Sequence, residues 1–183
     1  YKKRQTIRGY QFEPDNEQQL LFAQGCPFKE TPDQLAAIRD IKQDMESNRP
    51  MDRLLCGDVG FGKTEVLLRA AVKAVFNLKQ VMILVPTTIL ADQHYNTFMD
   101  RCRGFDITIG LMSRMISSRQ NSKTRDLLKD HRIDIIIGTH RLLQKDIEFS
   151  DLGLIIVDEE QRFGVNHKEK MKKMAVNVDM LTT

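Results

Sequence analysis

The sequence predicts an α/β fold in which helices cover both faces of a mostly parallel sheet. Three observations support this prediction. Short apolar runs alternate along the chain with longer stretches that have the periodicity of helices. These runs are apolar at consecutive positions, which is typical of parallel strands because both of their faces are buried. A glycine-rich motif separates the first of these runs from the helical stretch that follows it.

The first long helix is predicted by the residues that would cap it. Thr31 is a good N-cap, Pro32 suits the first helical position, and Gln34 completes a capping box. Capping therefore explains Gln34 without any further role. The expected buried stripe of this helix consists of Leu35, Ile38, Ile41 and Met45.

The remaining elements alternate along the chain. Strands are predicted at residues 53–56, 81–85, 107–111, 133–137 and 154–157. Helices are predicted between most of them, at residues 65–76, 89–101, 123–130 and 166–174. We expect an N-terminal extension or linker helix over residues 1–25 and one domain over residues 26–183. Because the chain does not begin with Met and ends in a further apolar run, we expect an excised part of a longer protein.

The composition excludes several classes of protein. The chain of 183 residues is long enough for one α/β domain, and its net charge of +3 indicates no particular partner. Its three cysteines are far apart and its four histidines lack ligand spacing, so we expect neither a zinc site nor a disulfide framework. No apolar run approaches the length of a membrane span. We therefore expect a cytoplasmic protein without a membrane partner.

A complete phosphate-binding loop lies between the first predicted strand and the next helix. Glycines let backbone N–H groups turn toward phosphate oxygens, and the new helix adds its N-terminal dipole. Lys63 would reach the β- and γ-phosphates of ATP, and the Thr64 hydroxyl would hold Mg²⁺. The alternative, a chance glycine-rich turn, is disfavoured by the strand–loop–helix context. The predicted phosphate-binding residues are Gly57, Asp58, Val59, Gly60, Phe61, Gly62, Lys63 and Thr64.

An acidic pair follows the apolar run at residues 154–157. Ligands bind at the carboxyl ends of the strands in open α/β sheets, which is where this pair would lie. Asp158 would hold the Mg²⁺ of Mg–ATP, and Glu159 would orient or deprotonate the attacking water. A charged turn after a core strand is the alternative. The phosphate-binding loop favours nucleotide hydrolysis.

Three further loops at predicted strand ends carry polar groups that could follow a DNA backbone. Such a backbone is bound through charge and shape rather than through sequence. In the alternative interpretation the Thr hydroxyls only cap helices, and the domain is an ATP-binding switch without DNA activity. The candidate DNA-binding residues are Pro86, Thr87, Thr88, Ser113, Arg114, Gly138, Thr139 and His140.

Together these motifs resemble the first motor lobe of superfamily 2 helicases and translocases, which is a RecA-like lobe. Residues 57–64 match motif I, residues 85–88 motif Ia, residues 138–140 motif Ic and residues 158–161 motif II. Within the superfamily, the segments 31–34, 51–65, 84–91 and 157–165 are similar to the bacterial transcription-repair coupling factors. The RecG branch-migration helicases share this plan.

The resemblance implies a lobe that couples ATP hydrolysis to movement on double-stranded DNA. It implies that Phe28 and Gln34 contact the adenine, and that Gln161 acts in catalysis beside Lys63, Asp158 and Glu159. RNA polymerase and excision-repair proteins would be bound by domains outside this chain, and stalled polymerase would be removed. A second RecA-like lobe of the same polypeptide would supply an arginine finger, so the isolated lobe should be nearly inactive. A RecG-like branch-migration lobe is the alternative, and the chain would end near motif III.

Overall fold

The computed structural model describes residues 7–57 and 62–183. Within these residues, six parallel strands form one sheet in the order β1-β6-β5-β2-β4-β3. The strands are β1 Asp52–Leu54, β2 Gln80–Leu84, β3 Ile109–Met112, β4 Ile135–Gly138, β5 Leu152–Val157 and β6 Asp179–Thr182. The helices are α1 Glu17–Gln24, α2 Pro32–Met45, α3 Lys63–Phe76, α4 Thr88–Arg101, α5 Ser118–Lys129 and α6 Val165–Met174. The predicted α/β class with a parallel sheet is confirmed. None of the described helices is long and apolar enough to cross a membrane.

The strands are apolar throughout because each side of the sheet has its own core. In β2, Val81 and Ile83 pack into a cluster that includes side chains from α1, α2, α3 and α4. Met82 and Leu84 point to the other face, where the cluster includes residues of α5 and α6. Every residue of β2 is buried. A strand covered on both faces needs apolar side chains at consecutive positions, which is the pattern that predicted it.

Helix α2 begins as its capping residues predict. The Gln34 N–H donates to Thr31 Oγ1 at 3.2 Å, and the Thr31 N–H donates to Gln34 Oε1 at 2.8 Å. Ile38, Ile41 and Met45 are buried against α3 and the sheet, as expected. The expectation for Leu35 is wrong, because its side chain is 50% exposed in the first turn.

Residues 7–25 are packed onto the helical layer of the sheet. Phe12 and Phe22 are both buried in the core cluster that contains α2 and α3. The fully buried Lys73 of α3 pairs with Asp15 at 2.9 Å and with Glu46 at 2.7 Å. Because an unpaired buried ammonium is costly, this contact holds the segment against α3. The division of the chain at residue 25 stays a prediction.

The parallel sheet brings to one edge the candidate site residues that directly follow its strands. Chain segments that follow parallel strands leave the sheet on the same side, at the carboxyl ends of the strands. The phosphate-binding loop follows β1, Thr183 follows β6, and Asp158 follows β5. The three candidate DNA loops follow β2, β4 and β3. The strand order therefore separates the candidate nucleotide residues from the candidate DNA residues along this edge.

Candidate functional site

Of the predicted phosphate-binding residues, the structure describes Gly57 and residues 62–64, and α3 begins at Lys63. Gly62 has φ +73°, a left-handed backbone that favours glycine, and a Cβ atom there would meet Gln34 Nε2 at 2.3 Å and displace the end of that side chain. Lys63 Nζ donates to the Gly57 carbonyl at 3.0 Å, which keeps the ammonium over the start of the loop. Thr64 follows in the first turn of α3. The predicted residues Asp58, Val59, Gly60 and Phe61 lie outside the described residues.

The Asp158 carboxylate is held at the end of β5 by two hydrogen bonds. His94 Nε2 on α4 lies 2.7 Å from Asp158 Oδ2, and the Thr183 hydroxyl donates to Oδ1. Burial alone would raise the pKa of the Asp158 carboxyl, but the hydrogen bonds from His94 and Thr183 lower it below its ordinary value. The positive charge of Lys63 acts in the same direction. Asp158 therefore carries a carboxylate whose charged form is favoured by His94, Thr183 and Lys63.

Glu159 has a strained backbone that the end of β6 stabilises. Its φ is +53°, a left-handed conformation that non-glycine residues rarely adopt. Its N–H donates to Thr183 Oγ1 at 3.1 Å, and the Glu160 N–H donates to the Thr183 carbonyl at 3.0 Å. Arg162 Nε lies 2.9 Å from Glu159 Oε2, but the geometry is not that of a hydrogen bond, so the contact is an ion pair only. Gln161 is exposed in the short 3-10 helix Glu160–Arg162.

The oxygen donors at this edge fit Mg²⁺. Magnesium prefers oxygen ligands and keeps several waters, so one carboxylate and one hydroxyl are a sufficient protein contribution. Asp158 would supply the carboxylate and Thr64 the hydroxyl. When bound, the ion would neutralise charge on the phosphates. The observation that supports this fit is the Asp158 carboxylate itself, which His94 and Thr183 hold at the end of β5 by hydrogen bonds.

The two residues predicted to contact adenine lie in different environments. Gln34 is buried, and its Nε2 faces Gly62 at the end of the phosphate-binding loop. Its Oε1 is used in the capping box of α2. Phe28 lies in the loop before α2 and is 48% exposed. Gln34 is therefore both a capping residue and a neighbour of the candidate nucleotide site.

Substitutions at Gln34 should separate these two roles. Gln34→Ala is expected to reduce stability by about 1 kcal/mol through loss of the cap. It should also lower affinity for ATP more than affinity for GTP, because the amide would no longer be available to the adenine. Gln34→Glu keeps an acceptor for the Thr31 N–H and should retain stability while losing the preference for ATP. Equal ATP/GTP affinity ratios for the three proteins by calorimetry would leave capping as the only role.

A buried ion cluster joins the two helices that flank the site. Glu65 follows Thr64 on α3 and is 4% exposed. It accepts from Arg69 Nε at 2.7 Å and from Arg101 Nη2 of α4 at 2.8 Å. Arg101 also donates to the Gly25 carbonyl at 3.0 Å, which ties α1 to the same cluster. Burial alone would raise the pKa of Glu65, but the hydrogen bonds from Arg101 and Arg69 lower it below its ordinary value.

Glu65→Gln is expected to destabilise the chain by about 3 kcal/mol at neutral pH, because Arg101 would lose its carboxylate partner and Arg69 would keep only Glu30. The folded-state pKa of Glu65 is lowered, so its contribution is present at neutral pH and is lost as the pH falls through the folded value. The stability difference between parent and variant should therefore shrink below about pH 4.5. Urea unfolding from pH 7 to pH 3 measures this difference. A difference that stays constant over this range would contradict the assignment.

The candidate DNA residues differ in their exposure. Thr87 caps α4 by accepting from the Leu90 N–H at 3.2 Å, which supports the capping interpretation for this hydroxyl. Ser113 and Thr139 are buried, so neither presents its side chain to solvent in this structure. Gly138 is buried, and a Cβ atom there would meet the Met112 carbonyl at 2.2 Å, which explains the glycine by packing. Pro86 and Thr88 are half-buried beside Thr87.

Cationic groups remain at this side of the sheet edge. Arg114 is exposed, and it lines a groove of about 450 Å³ together with Arg125 and Arg141. His140 stacks on His167 of α6 with ring centroids 5.5 Å apart. Burial, followed by the charge of Arg114 and the neighbouring His167, lowers the pKa of His140 below its ordinary value. Arg125 and Arg141 both pair with Asp146, so Arg114 is the arginine of this groove best placed to attract an anionic backbone.

Three residues that contact the candidate site or its flanking ion cluster were not among the predicted site residues. His94 and Thr183 hold Asp158, and Arg101 holds Glu65. A signal existed only for the Glu65 cluster, because Glu65 and Arg69 have the i,i+4 spacing of an ion pair on a helix. The partners of Asp158 come from distant parts of the chain.

Comparisons with known proteins agree with the resemblance that the motifs indicate. A family model described as DEAD/DEAH box helicase matches residues 31–182. The chain is 57% identical over 182 residues to the transcription-repair-coupling factor of Bacillus subtilis (strain 168), and 56% identical to that of Staphylococcus haemolyticus (strain JCSC1435). These alignments cover 100% of this chain and 16% of each relative, so the chain spans a small part of their length.

A solved structure supports the same relationship at the level of the fold. RecG bound to a three-way DNA junction superposes with a TM-score of 0.86 and 36% sequence identity. The superposition covers 99% of this chain and 24% of that chain. The predicted RecA-like fold and the predicted resemblance to helicases and translocases are both confirmed. Since the family model matches most of the chain, this chain belongs to the DEAD/DEAH box helicase family.

Proposed function

We propose that this chain is the ATP-binding motor lobe of a translocase that moves on double-stranded DNA. In the longer protein, ATP bound at the ends of β1, β6 and β5 would be hydrolysed while DNA lies across the ends of β2, β4 and β3. The observation that carries the proposal is the joint arrangement at one sheet edge. Asp158, hydrogen-bonded to His94, follows β5, and the exposed Arg114 follows β3 farther along the same edge.

Each residue of the nucleotide site has a distinct task in this proposal. Lys63 would exchange its contact with the Gly57 carbonyl for the β- and γ-phosphates, and the N–H groups at the start of α3 would add to that anion site. Asp158 and Thr64 would hold Mg²⁺. Glu159 would accept a proton from the attacking water or orient it. Its left-handed backbone, held by the hydrogen bond from its N–H to Thr183, supports a fixed position for the backbone that carries this carboxylate.

The finer role follows the named relatives. The sequence identity to two transcription-repair-coupling factors supports a motor that removes stalled RNA polymerase and promotes excision repair. Binding of polymerase and repair proteins would belong to domains outside this chain. A RecG-like motor on branched DNA is the second candidate, favoured by the superposition on RecG bound to a three-way junction. The higher identity to the coupling factors favours the first candidate, for which we expect linear duplex DNA as the substrate.

Linear duplex DNA should stimulate ATP hydrolysis by the full-length protein, and Arg114→Ala should raise the DNA concentration needed for half-maximal stimulation. Contact with a phosphate through one arginine contributes about one unit to the salt dependence of binding. The slope of log affinity against log salt should therefore fall by about one in the variant. Steady-state ATPase assays and DNA titrations at several salt concentrations measure both effects.

Arg103→Ala is the matched control for this experiment. Arg103 is an exposed arginine just after the end of α4. Because this helix starts at the sheet edge that carries the candidate sites, Arg103 lies at the opposite end of the helix from them. Its loss should leave both the stimulation and the salt slope unchanged. Affinity that depends on base sequence at fixed salt would contradict backbone binding. Stimulation by three-way junctions but not by linear duplex would favour the RecG-like candidate.

A further inference from the structure

His94 is a buried histidine with a single polar contact among the described residues. It lies about two turns into α4, on the same face as the buried Ala91 and Phe98. Its side chain is 7% exposed, and its ring packs edge-on against Phe98 with centroids 6.2 Å apart. Nδ1 is buried and has no hydrogen-bond partner in the described part of the chain. Packing therefore fixes the ring so that only Nε2 makes a polar interaction there.

The contact of Nε2 is with the carboxylate proposed to hold the metal. The Nε2–Oδ2 distance to Asp158 is 2.7 Å, a strong hydrogen bond to an ionised acceptor. Thr183 occupies one lone pair of the other oxygen, Oδ1. Each carboxylate oxygen thus keeps a lone pair for a metal or a metal-bound water. The two donors, from α4 and from the end of β6, determine the plane and the rotation of this carboxylate.

We propose that His94 is a positioning residue, which holds the Asp158 carboxylate in the orientation that binds Mg²⁺ with the nucleotide. The proposal rests on the proposed function only in assigning Asp158 to the metal. Groups that hydrogen-bond to a metal ligand typically change metal affinity or activity by about 10- to 100-fold when they are removed. Burying Nδ1 without a hydrogen-bond partner costs stability. The same buried ring places Nε2 against Asp158.

Three variants of the full-length protein test the proposal. His94→Leu keeps a side chain of similar size but removes the donor. His94→Gln keeps an amide donor of similar reach, whereas His94→Asn carries the same amide one carbon short of Asp158. Gln93→Leu is the matched control, because Gln93 is the exposed neighbour of His94 on α4. It introduces the same new side chain without touching Asp158.

The main measurement is a Mg²⁺ titration of adenine-nucleotide binding, followed with a fluorescent ATP analogue. His94→Leu should raise the Mg²⁺ concentration at half-saturation by at least about tenfold. Nucleotide affinity in EDTA should stay unchanged, because the defect lies in the metal contact. His94→Gln and Gln93→Leu should resemble the parent. In ATPase assays, His94→Leu should lower kcat more than it changes the KM for ATP at saturating Mg²⁺.

The same titration can overturn the proposal. An unchanged Mg²⁺ requirement in His94→Leu would show that the contact does not position the ligand. Equal loss of affinity with and without Mg²⁺ would show a role in packing only. If His94→Leu does not fold, the comparison of His94→Gln with His94→Asn decides, and equal Mg²⁺ requirements in these two variants would exclude the proposal. A parent protein that binds Mg-nucleotide but is not stimulated by DNA would contradict the proposed function and leave this test valid.

Discussion

Glu159→Gln is expected to lower kcat for ATP hydrolysis by at least about a hundredfold in the two-lobe protein, while Mg–ATP binding is retained. Loss of a positioned general base typically costs this much or more in rate. The amide keeps the size and the hydrogen-bonding capacity of the side chain but cannot accept a proton at neutral pH. Single-turnover hydrolysis and nucleotide binding, measured on the same protein, separate the chemical step from affinity.

The matched control is Glu160→Gln at the next position. Glu160 is half-buried, and its Oε1 lies 3.6 Å from Lys168 Nζ of α6. The substitution therefore removes a negative charge at the position next to Glu159. This control should hydrolyse ATP within a few-fold of the parent. A kcat for Glu159→Gln that falls no further than that of the control would show that another group activates the water.

The 183-residue chain alone is expected to fold and bind Mg–ATP, but to hydrolyse it at least about a thousandfold more slowly than a protein containing both lobes. An arginine finger contributes about 10³- to 10⁵-fold to hydrolysis in P-loop enzymes, and the second lobe would supply it. Water would also have free access to the open side of the site. Steady-state assays with and without duplex DNA measure the difference.

Arg162 is an arginine beside Glu159 within this chain, so the same experiment includes a variant that removes it. It is 60% exposed and pairs with Glu159, so it is engaged in the resting site. Arg162→Ala in the single lobe should leave the slow rate unchanged within a few-fold. If the single lobe turns over as fast as the two-lobe protein, the division of the active site between two lobes is wrong. Arg162 would then be the first candidate for an internal finger.

The local features of the fold could be predicted from the sequence. The α2 cap was predicted because Thr31 and Gln34 are three residues apart, and both hydrogen bonds are present. The apolar run at residues 154–157 predicted a strand, because a strand buried on both faces has no polar positions. Leu35 was assigned wrongly to the buried face, since helical spacing alone does not show where the packed stripe begins.

The association of residues 7–25 with the domain required the tertiary structure. This segment is polar and weakly patterned, so its periodicity indicated no packed helix. Phe12 and Phe22 are nevertheless buried, and the buried Lys73 pairs with Asp15. Buried aromatic side chains, the ion pairs of Asp15 with Lys73 and Lys42, and hydrogen bonds from arginines hold the segment, and contacts of this kind leave no periodic signal.

The sequence by itself determined the α/β class, the phosphate-binding loop and the identity of Asp158 and Glu159 as candidate site residues. These depend on short-range spacing, which a chain shows directly. Only the tertiary structure decided that β6 lies between β1 and β5, which brings Thr183 to Asp158 and Glu159. It also decided that His94 of α4 holds the same carboxylate from 64 positions away. Sheet order and helix packing create these contacts, and neither follows from local spacing.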